Sequence, residues 1–223
     1  MPGSPWSFLA ARRRDASFRS RRLTGRADPA IHDRMPLFAV PDGQPGPWKP
    51  VTGVHAAFVS LGVMTLFYLL ATAQDGFVFI DFVNLAFHEA GHPLLGAFGE
   101  TLGLYGGTIG QLAFPCAAAV AFWRQREPVG SAVALVWLFE NFLNIARYMA
   151  DAQAQALPLV GGGEHDWTNI FSRWGVLAAD RSIARAVTAM GWTGMIAAWA
   201  WLGWRWWTGS GAVGTQTAPT RRP

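Results

Sequence analysis

Residues 50–74, PVTGVHAAFVSLGVMTLFYLLATAQ, contain no Asp, Glu, Lys or Arg and consist mainly of apolar side chains. As an α-helix, this stretch is long enough to cross the roughly 30 Å hydrocarbon core of a bilayer. Residues 101–123 and 186–204 are likewise free of those residue types. Soluble proteins rarely carry three such runs, so the sequence predicts an integral membrane protein.

Two further apolar segments are interrupted by polar residues. Residues 77–98 contain two histidines, and residues 131–149 contain Glu140 and Arg147, which we expect to neutralise each other as an ion pair. Polar groups at membrane depth are costly and therefore face the interior of a bundle. The chain is predicted to be all-α, a polytopic transmembrane bundle of four to six membrane helices. We expect it to be a multi-pass protein of a bacterial cytoplasmic membrane.

Positive charge is concentrated at the N-terminus. The first 34 residues hold eight arginines and three aspartates, a balance of +5, so the net charge of +4 leaves −1 for the rest. This stretch has no fold pattern that would present a reading surface, so it predicts a disordered arm rather than a nucleic-acid-binding surface. Residues 1–49 are thus expected to be a disordered tail, with Met35 as an alternative start of translation. Residues 50–207 form the predicted transmembrane domain, and residues 208–223 a disordered C-terminal tail.

The arginines outside this tail bear on orientation. Five of these nine lie at residues 124–126 and after residue 204. Five simple crossings cannot place both clusters and the N-terminal tail on one side of the membrane. If the segment 77–98 does not cross the membrane, both clusters and the N-terminal tail become cytoplasmic. The acidic connection 151–180 then lies outside. We favour this second arrangement.

The segment 77–98 contains the sequence His88-Glu89-Ala90-Gly91-His92. Histidines four residues apart lie one helical turn apart and can offer two imidazole nitrogens to one zinc ion, with Glu89 beside them. Zinc lowers the pKa of a bound water toward neutrality, and Glu89 can take its proton as general base. The only cysteine, Cys116, lies in an apolar run, so any metal must be held by His, Asp and Glu. The pattern predicts one Zn²⁺ per chain.

A catalytic zinc commonly has three protein ligands, so the two histidines need a third. Residues 161–167, GGGEHDW, offer His165 and Asp166 in a glycine-rich turn, and Asp151 is a rival at the end of the preceding helix. We favour His165, with Asp166 and Asp151 as alternatives. In a purely structural interpretation, Asp166 caps the following helix and Trp167 anchors it at the membrane interface.

Other polar residues share helix faces with these candidates. Helical spacing extends the histidine stripe back to Asn84 and Asp81, which could hydrogen-bond the outer imidazole nitrogens or line a water path. A solvated position at the helix start is the alternative for Asp81. Asn144 lies on the same predicted face as Asp151 and is a further candidate for supporting the ligands or lining the substrate path.

These features together resemble a known family. The apolar histidine helix, the following Gly106-Gly107, and a later Asn-containing helix that leads into LPLVGG at residues 157–162 are similar to the site-2-protease family of intramembrane zinc metalloproteases. The likeness covers roughly residues 77–167. It implies His88 and His92 as zinc ligands.

The resemblance further implies Glu89 as catalytic base and a membrane or membrane-tethered protein as substrate. In that family, an Asp between the Pro-Leu and the Gly-Gly of the later motif is the third zinc ligand. Val160 occupies that position here, which implies a divergent member.

The function expected from the sequence is therefore zinc-dependent peptide hydrolysis within a membrane. A membrane zinc hydrolase acting on a lipid or another non-peptide substrate is an alternative, and so is a catalytically inactive bundle. The expected partners are a membrane protein or peptide substrate and the lipid bilayer, with no nucleic acid.

Overall fold

The structure is a computed structural model that describes residues 46–73, 76–160 and 164–214 of the 223-residue chain, with side chains to residue 209. All regular elements in this part are helical, as the sequence predicts. In chain order they are α1 (Gly53–Thr72), α2 (Phe79–Gly96), α3 (Glu100–Arg124), α4 (Pro128–Ala150), α5 (Asp166–Trp174) and α6 (Asp180–Gly214), with a 3-10 turn at Leu177–Ala179 before α6.

Three of these helices, α1, α3 and α4, are long and apolar enough to cross a membrane. In α1 only Ala56 and Val63 are buried, while large apolar side chains such as Phe58 and Leu61 are exposed. Such a surface is suited to lipid rather than water. The predicted run at 186–204 lies in α6, which is not among the three because its tryptophans and glycines lower its mean hydropathy. Three candidate spans are thus found in the described ranges, against the four to six expected.

α4 lies at the centre of the bundle, where it packs against both α3 and α6. Small residues on α6 allow the close approach: a Cβ at Gly191 would lie only 2.9 Å from the Phe139 carbonyl oxygen. Near the end of α4, the side chains of Ile145 and Met149 form a core with residues of α5. Trp167 belongs to this core and is 5% exposed, so the expectation that it anchors at the membrane interface is wrong.

α2 and α3 are in direct backbone contact. A Cβ at Gly91 would overlap the carbonyl oxygen of Gly106, and a Cβ at Gly110 would lie 2.9 Å from the Gly91 Cα. Only glycine permits helices to approach this closely. The glycines therefore fix the spacing of α2 and α3, and with it the position of the α2 histidines relative to α3.

Both ends of α2 lie toward the same end of the bundle. Near its start, the Arg147 guanidinium from the last turn of α4 lies over the Phe77 ring, 5.0 Å from the ring centroid. In its last turn, Gly96 packs against Gly103 in the first turn of α3. α3 and α4 are consecutive packed helices joined by a short turn, so the start of α3 and the end of α4 lie together. α2 therefore does not run the length of the bundle.

The predicted tails fall largely outside the described residues. Of the N-terminal tail, 1–49, only residues 46–49 are described, and the alternative start at Met35 lies outside. α6 continues to Gly214, past the boundary predicted at residue 207, and residues 215–223 are outside the described part.

Candidate metal centre

Three side chains from distant parts of the sequence converge beside α2. His88 and His92 project from one face of α2, and Asp166 reaches them from the first position of α5. Asp166 Oδ2 lies 3.0 Å from His88 Nε2 and 3.2 Å from His92 Nε2. His88 and Asp166 are buried, and the ligand atoms of all three residues lie within 4.8 Å of one another. The structure thus brings Asp166, rather than the favoured His165, to the two histidines.

The outer nitrogens of both imidazoles are held by oxygen acceptors. His88 Nδ1 lies 2.9 Å from Gln111 Oε1, and His92 Nδ1 lies 2.8 Å from the Gly103 carbonyl oxygen. The amide of Gln111 is itself oriented, because its Nε2 donates to Asn141 Oδ1 at 3.1 Å and to Asn144 Oδ1 at 3.2 Å. A carbonyl oxygen can only accept, so each Nδ1 carries a hydrogen, and when the imidazoles are neutral each Nε2 presents its lone pair to Asp166.

Two imidazole lone pairs and a carboxylate oxygen therefore face one another in a largely buried space. Three acceptors converge favourably only around a positive charge, which can be an extra proton or a metal ion. In a tetrahedral zinc site with bonds of about 2.0–2.1 Å, two ligand atoms are separated by about 3.3 Å. The distances from Asp166 Oδ2 to the two nitrogens, 3.0 and 3.2 Å, are close to that separation. The residues present thus fit a zinc ion.

Gly107 of α3 borders the same space. A Cβ at this position would lie 2.6 Å from His92 Nε2 and closer still to His88 Nε2. Any side chain larger than hydrogen would occupy the volume onto which both nitrogens point. The glycine therefore forms a cradle that leaves room for an ion between the imidazoles.

The centre opens into a cavity of about 910 Å³. Its lining includes both histidines, Asp166 and the side chain of Glu89, together with the apolar residues of the 157–160 loop. Within the described ranges, the Glu89 carboxylate has no hydrogen-bond partner or ion pair. Tyr148 also lines the cavity, and its hydroxyl oxygen accepts a hydrogen bond of 3.2 Å from the Asp166 backbone N–H. A carboxylate and a phenol are thus available beside the three ligand atoms.

His165 and Asp151 contact each other and do not belong to the group of three ligand residues. His165 Nε2 lies 3.5 Å from Asp151 Oδ2, and its Nδ1 accepts a hydrogen bond of 3.3 Å from the Thr168 backbone N–H. His165, not Asp166, is therefore the N-cap of α5. Burial lowers the pKa of His165 below its ordinary value despite the opposing charge of Asp151. Asp151 also accepts hydrogen bonds from the backbone N–H groups of the next loop, so both residues order the chain that carries Asp166.

The remaining predicted residues form a buried polar network on the far side of Gln111. Asn144 connects the two parts, since it accepts from Gln111 and donates to Asp81 Oδ1 at 2.8 Å. Asp81 is 1% exposed and also accepts from the Val78 N–H at 2.7 Å, so it is not a solvated residue. Asn84 donates to Glu140 Oε2 at 2.8 Å. Neither Asp81 nor Asn84 reaches an imidazole, because the outer nitrogens are bound by α3.

The expected ion pair between Glu140 and Arg147 is wrong. Glu140 is buried beside Asn84, whereas the Arg147 guanidinium lies over the Phe77 ring. Seven residues of helix separate the two along α4, a rise of about 10 Å. They lie on one face but too far apart to pair.

The sequence did not lead us to place Gln111 or Gly103 in the site, and Gly107 was noted only as part of the family resemblance. Gln111 had a visible signal, because it is the only amide in the charge-free run 101–123. A buried amide at membrane depth is a functional candidate by default. The role of the Gly103 carbonyl oxygen had no sequence signal, since every residue has a backbone carbonyl oxygen.

Comparison of the chain with protein-family models, with curated proteins and with solved structures finds no match.

Proposed function

We propose that this protein is a membrane-embedded zinc metalloprotease in which His88, His92 and Asp166 hold one zinc ion and Glu89 is the general base. The observation that carries the proposal is the convergence of three acceptor atoms on one space at the wall of a cavity. Their outer hydrogen bonds turn the free lone pairs inward.

The donor set favours zinc. Two imidazole nitrogens and one carboxylate oxygen are ligands that zinc takes in catalytic sites, where a fourth position stays open for water or substrate. A bound zinc ion would supply Lewis acidity and lower the pKa of a coordinated water toward neutrality.

The protein's own groups would carry out the proton transfers. Glu89 follows His88 directly on α2 and lines the cavity, so its carboxylate can take a proton from the attacking water and pass it to the leaving amine. The Tyr148 hydroxyl is placed to donate a hydrogen bond to an oxyanion that develops at the scissile carbonyl. Both roles need the substrate amide to enter the cavity in an extended form.

The surroundings of the cavity favour an apolar peptide. Leu157, Leu159 and Val160 form one wall, and candidate membrane spans α3 and α4 supply others. A transmembrane segment that unwinds locally could place its backbone beside the histidines without entering water. We therefore propose a membrane or membrane-tethered protein as substrate.

The three candidate spans support a multi-pass topology. Among the described residues, Lys49, Arg124, Arg126 and Arg205 lie at the end where α1 begins, whereas Arg147, Arg173, Arg181 and Arg185 lie toward the opposite end. The eight arginines of residues 1–34 precede α1 in the chain, and basic residues favour the cytoplasmic side, so we propose that the end where α1 begins faces the cytoplasm of a bacterial cell. The metal centre then lies toward the opposite end, with only the polar face of α2 buried in the bundle.

The first experiment measures bound zinc. The full chain and single variants are purified in detergent, and zinc is measured by elemental analysis on monodisperse samples. We expect about one zinc per chain for wild type and a loss in His88→Ala and Asp166→Asn. His165→Asn is the matched control, because asparagine can cap α5 in place of the imidazole, so Asp166 keeps its position and zinc should be retained. Loss of zinc in His165→Asn with retention in Asp166→Asn would reject the proposed ligand set.

The second experiment measures peptide hydrolysis. Wild type and Glu89→Gln are reconstituted into liposomes with a library of single-span peptides, and new amino termini are labelled and identified by mass spectrometry. We expect wild type to generate new termini and Glu89→Gln to generate none while it retains zinc. A zinc-loaded wild type that hydrolyses lipid esters but no peptide would overturn the protease assignment.

A further inference from the structure

The opposite end of the bundle carries a cluster of aromatic rings and guanidinium groups, here called the Trp48 cluster. The Trp48 ring centroid lies 4.8 Å from that of Trp123 and 5.2 Å from that of Trp201. Arg126 and Arg205 place their guanidinium carbons 5.2 and 5.5 Å from the centroid of the same Trp48 ring. Both distances are typical of cation–π contacts, so one indole contacts two cations.

The charge of these two arginines is not balanced by neighbouring carboxylates. The nearest acidic residue in sequence, Glu127, is paired with Lys49 at 2.9 Å. Within the part of the chain that the structure describes, neither Arg126 nor Arg205 has a carboxylate partner, and the Nε of each is buried without a hydrogen-bond partner. Two cations on one ring with no carboxylate partner leave a net positive charge, and the other N–H groups of each guanidinium can donate to an anion from outside the protein.

The backbone of Arg126 supports a role for its side chain. Its φ is +54°, a left-handed conformation that glycine adopts at no steric cost and an arginine rarely adopts. A hydrogen bond holds this turn in place, since the Lys49 backbone N–H donates to the Arg126 carbonyl oxygen at 3.0 Å. Strained backbone conformations are concentrated at functional sites, so we expect the Arg126 side chain to have a binding role.

The cluster lies where candidate membrane spans end. Trp48 precedes the start of α1 at Gly53, and Arg126 lies between the end of α3 and the start of α4. Tryptophan and arginine at such positions lie at the level of lipid headgroups. An anion at this level carries a phosphate group.

We propose that the Trp48 cluster is a binding site for the phosphate headgroup of one anionic phospholipid. The guanidinium groups of Arg126 and Arg205 bind the phosphate oxygens, while Trp48 holds both cations in place. The positive charge of Arg126 and Arg205 favours an anionic over a zwitterionic headgroup. This site lies apart from the metal centre and does not depend on the proposed catalysis.

The test is native mass spectrometry of the full chain in detergent, titrated with dioctanoyl-phosphatidylglycerol or dioctanoyl-phosphatidylcholine. We expect wild type to bind one phosphatidylglycerol with an affinity roughly tenfold or more above that for phosphatidylcholine. Arg126→Gly and Arg205→Gln should each lower the phosphatidylglycerol affinity roughly tenfold. Arg126→Gly also relieves the left-handed backbone, so a loss of binding in this variant will not reflect misfolding.

Arg124→Gln is the matched control, because it removes the same charge from the same end of the bundle, and its affinity should stay within about twofold of wild type. Equal affinity of wild type and both cluster variants would overturn the proposal. An equal loss of affinity in Arg124→Gln would mean that general surface charge causes the effect, and this outcome would also overturn the proposal. A third arm adds inorganic phosphate, and displacement of the lipid at equimolar phosphate would assign the site to free phosphate instead.

Discussion

Substitution of Gly107 by alanine is the sharpest test of the metal centre. The added Cβ would lie 2.6 Å from His92 Nε2, whereas ordinary contacts of a Cβ begin at 3.4 Å. The imidazole must therefore retreat by about 0.8 Å, several times the roughly 0.2 Å within which metal–ligand distances hold. Loss of an outer hydrogen bond alone lowers metal affinity by about 10–100-fold, so we expect a fall of at least about 100-fold, or about 2.7 kcal/mol.

The assay is a zinc competition titration against a chelator, with helical content followed by circular dichroism. Overpacking costs about 1–3 kcal/mol and is partly offset by the higher helix propensity of alanine, about 1 kcal/mol, so the variant should fold. Gly62→Ala is the control, because a Cβ at Gly62 on α1 meets nothing within 4 Å. If Gly107→Ala folds and binds zinc as tightly as wild type, the ion does not lie between the two imidazoles and the proposed geometry is refuted.

Three further predictions address the support of the site. Gln111→Ala removes the acceptor of His88 Nδ1 and should lower zinc affinity about 10–100-fold in the same titration, with the protein still folded. Asp151→Ala leaves backbone donors of the next loop without a partner and should lower the free energy of unfolding by about 1–3 kcal/mol, measured by denaturant titration, without changing zinc stoichiometry. Gly91→Ala forces a methyl group into the Gly106 carbonyl and should separate α2 from α3, so that thermal unfolding shifts downward well beyond the effect of Gly62→Ala.

The helical class and the histidine pair could be predicted because both depend on local sequence. A charge-free run such as 50–74 is informative by itself, since about 20 consecutive apolar residues commonly form a membrane-spanning helix. The spacing of His88 and His92 likewise needs only the period of an α-helix. The span count was less predictable, because a run such as 186–204 is free of charge and yet only moderately apolar.

The third ligand candidate depended on tertiary structure. His165 and Asp166 are adjacent, and nothing in their spacing decides which of them faces α2. The start of α5 decides it: His165 caps the helix through Thr168 and turns toward Asp151, which directs Asp166 to the histidines.

The sequence by itself determined that the chain is helical, that its body is suited to a membrane and that two histidines share a helix face. The tertiary structure alone decided which carboxylate joins them, which groups hold their outer nitrogens and that Gly107 leaves space between them. The physical reason is the distance along the chain over which each kind of interaction acts. Hydropathy and helical period act within one segment, whereas the metal centre is assembled from α2, α3 and α5 by glycine-mediated helix contact and by the turn that begins α5.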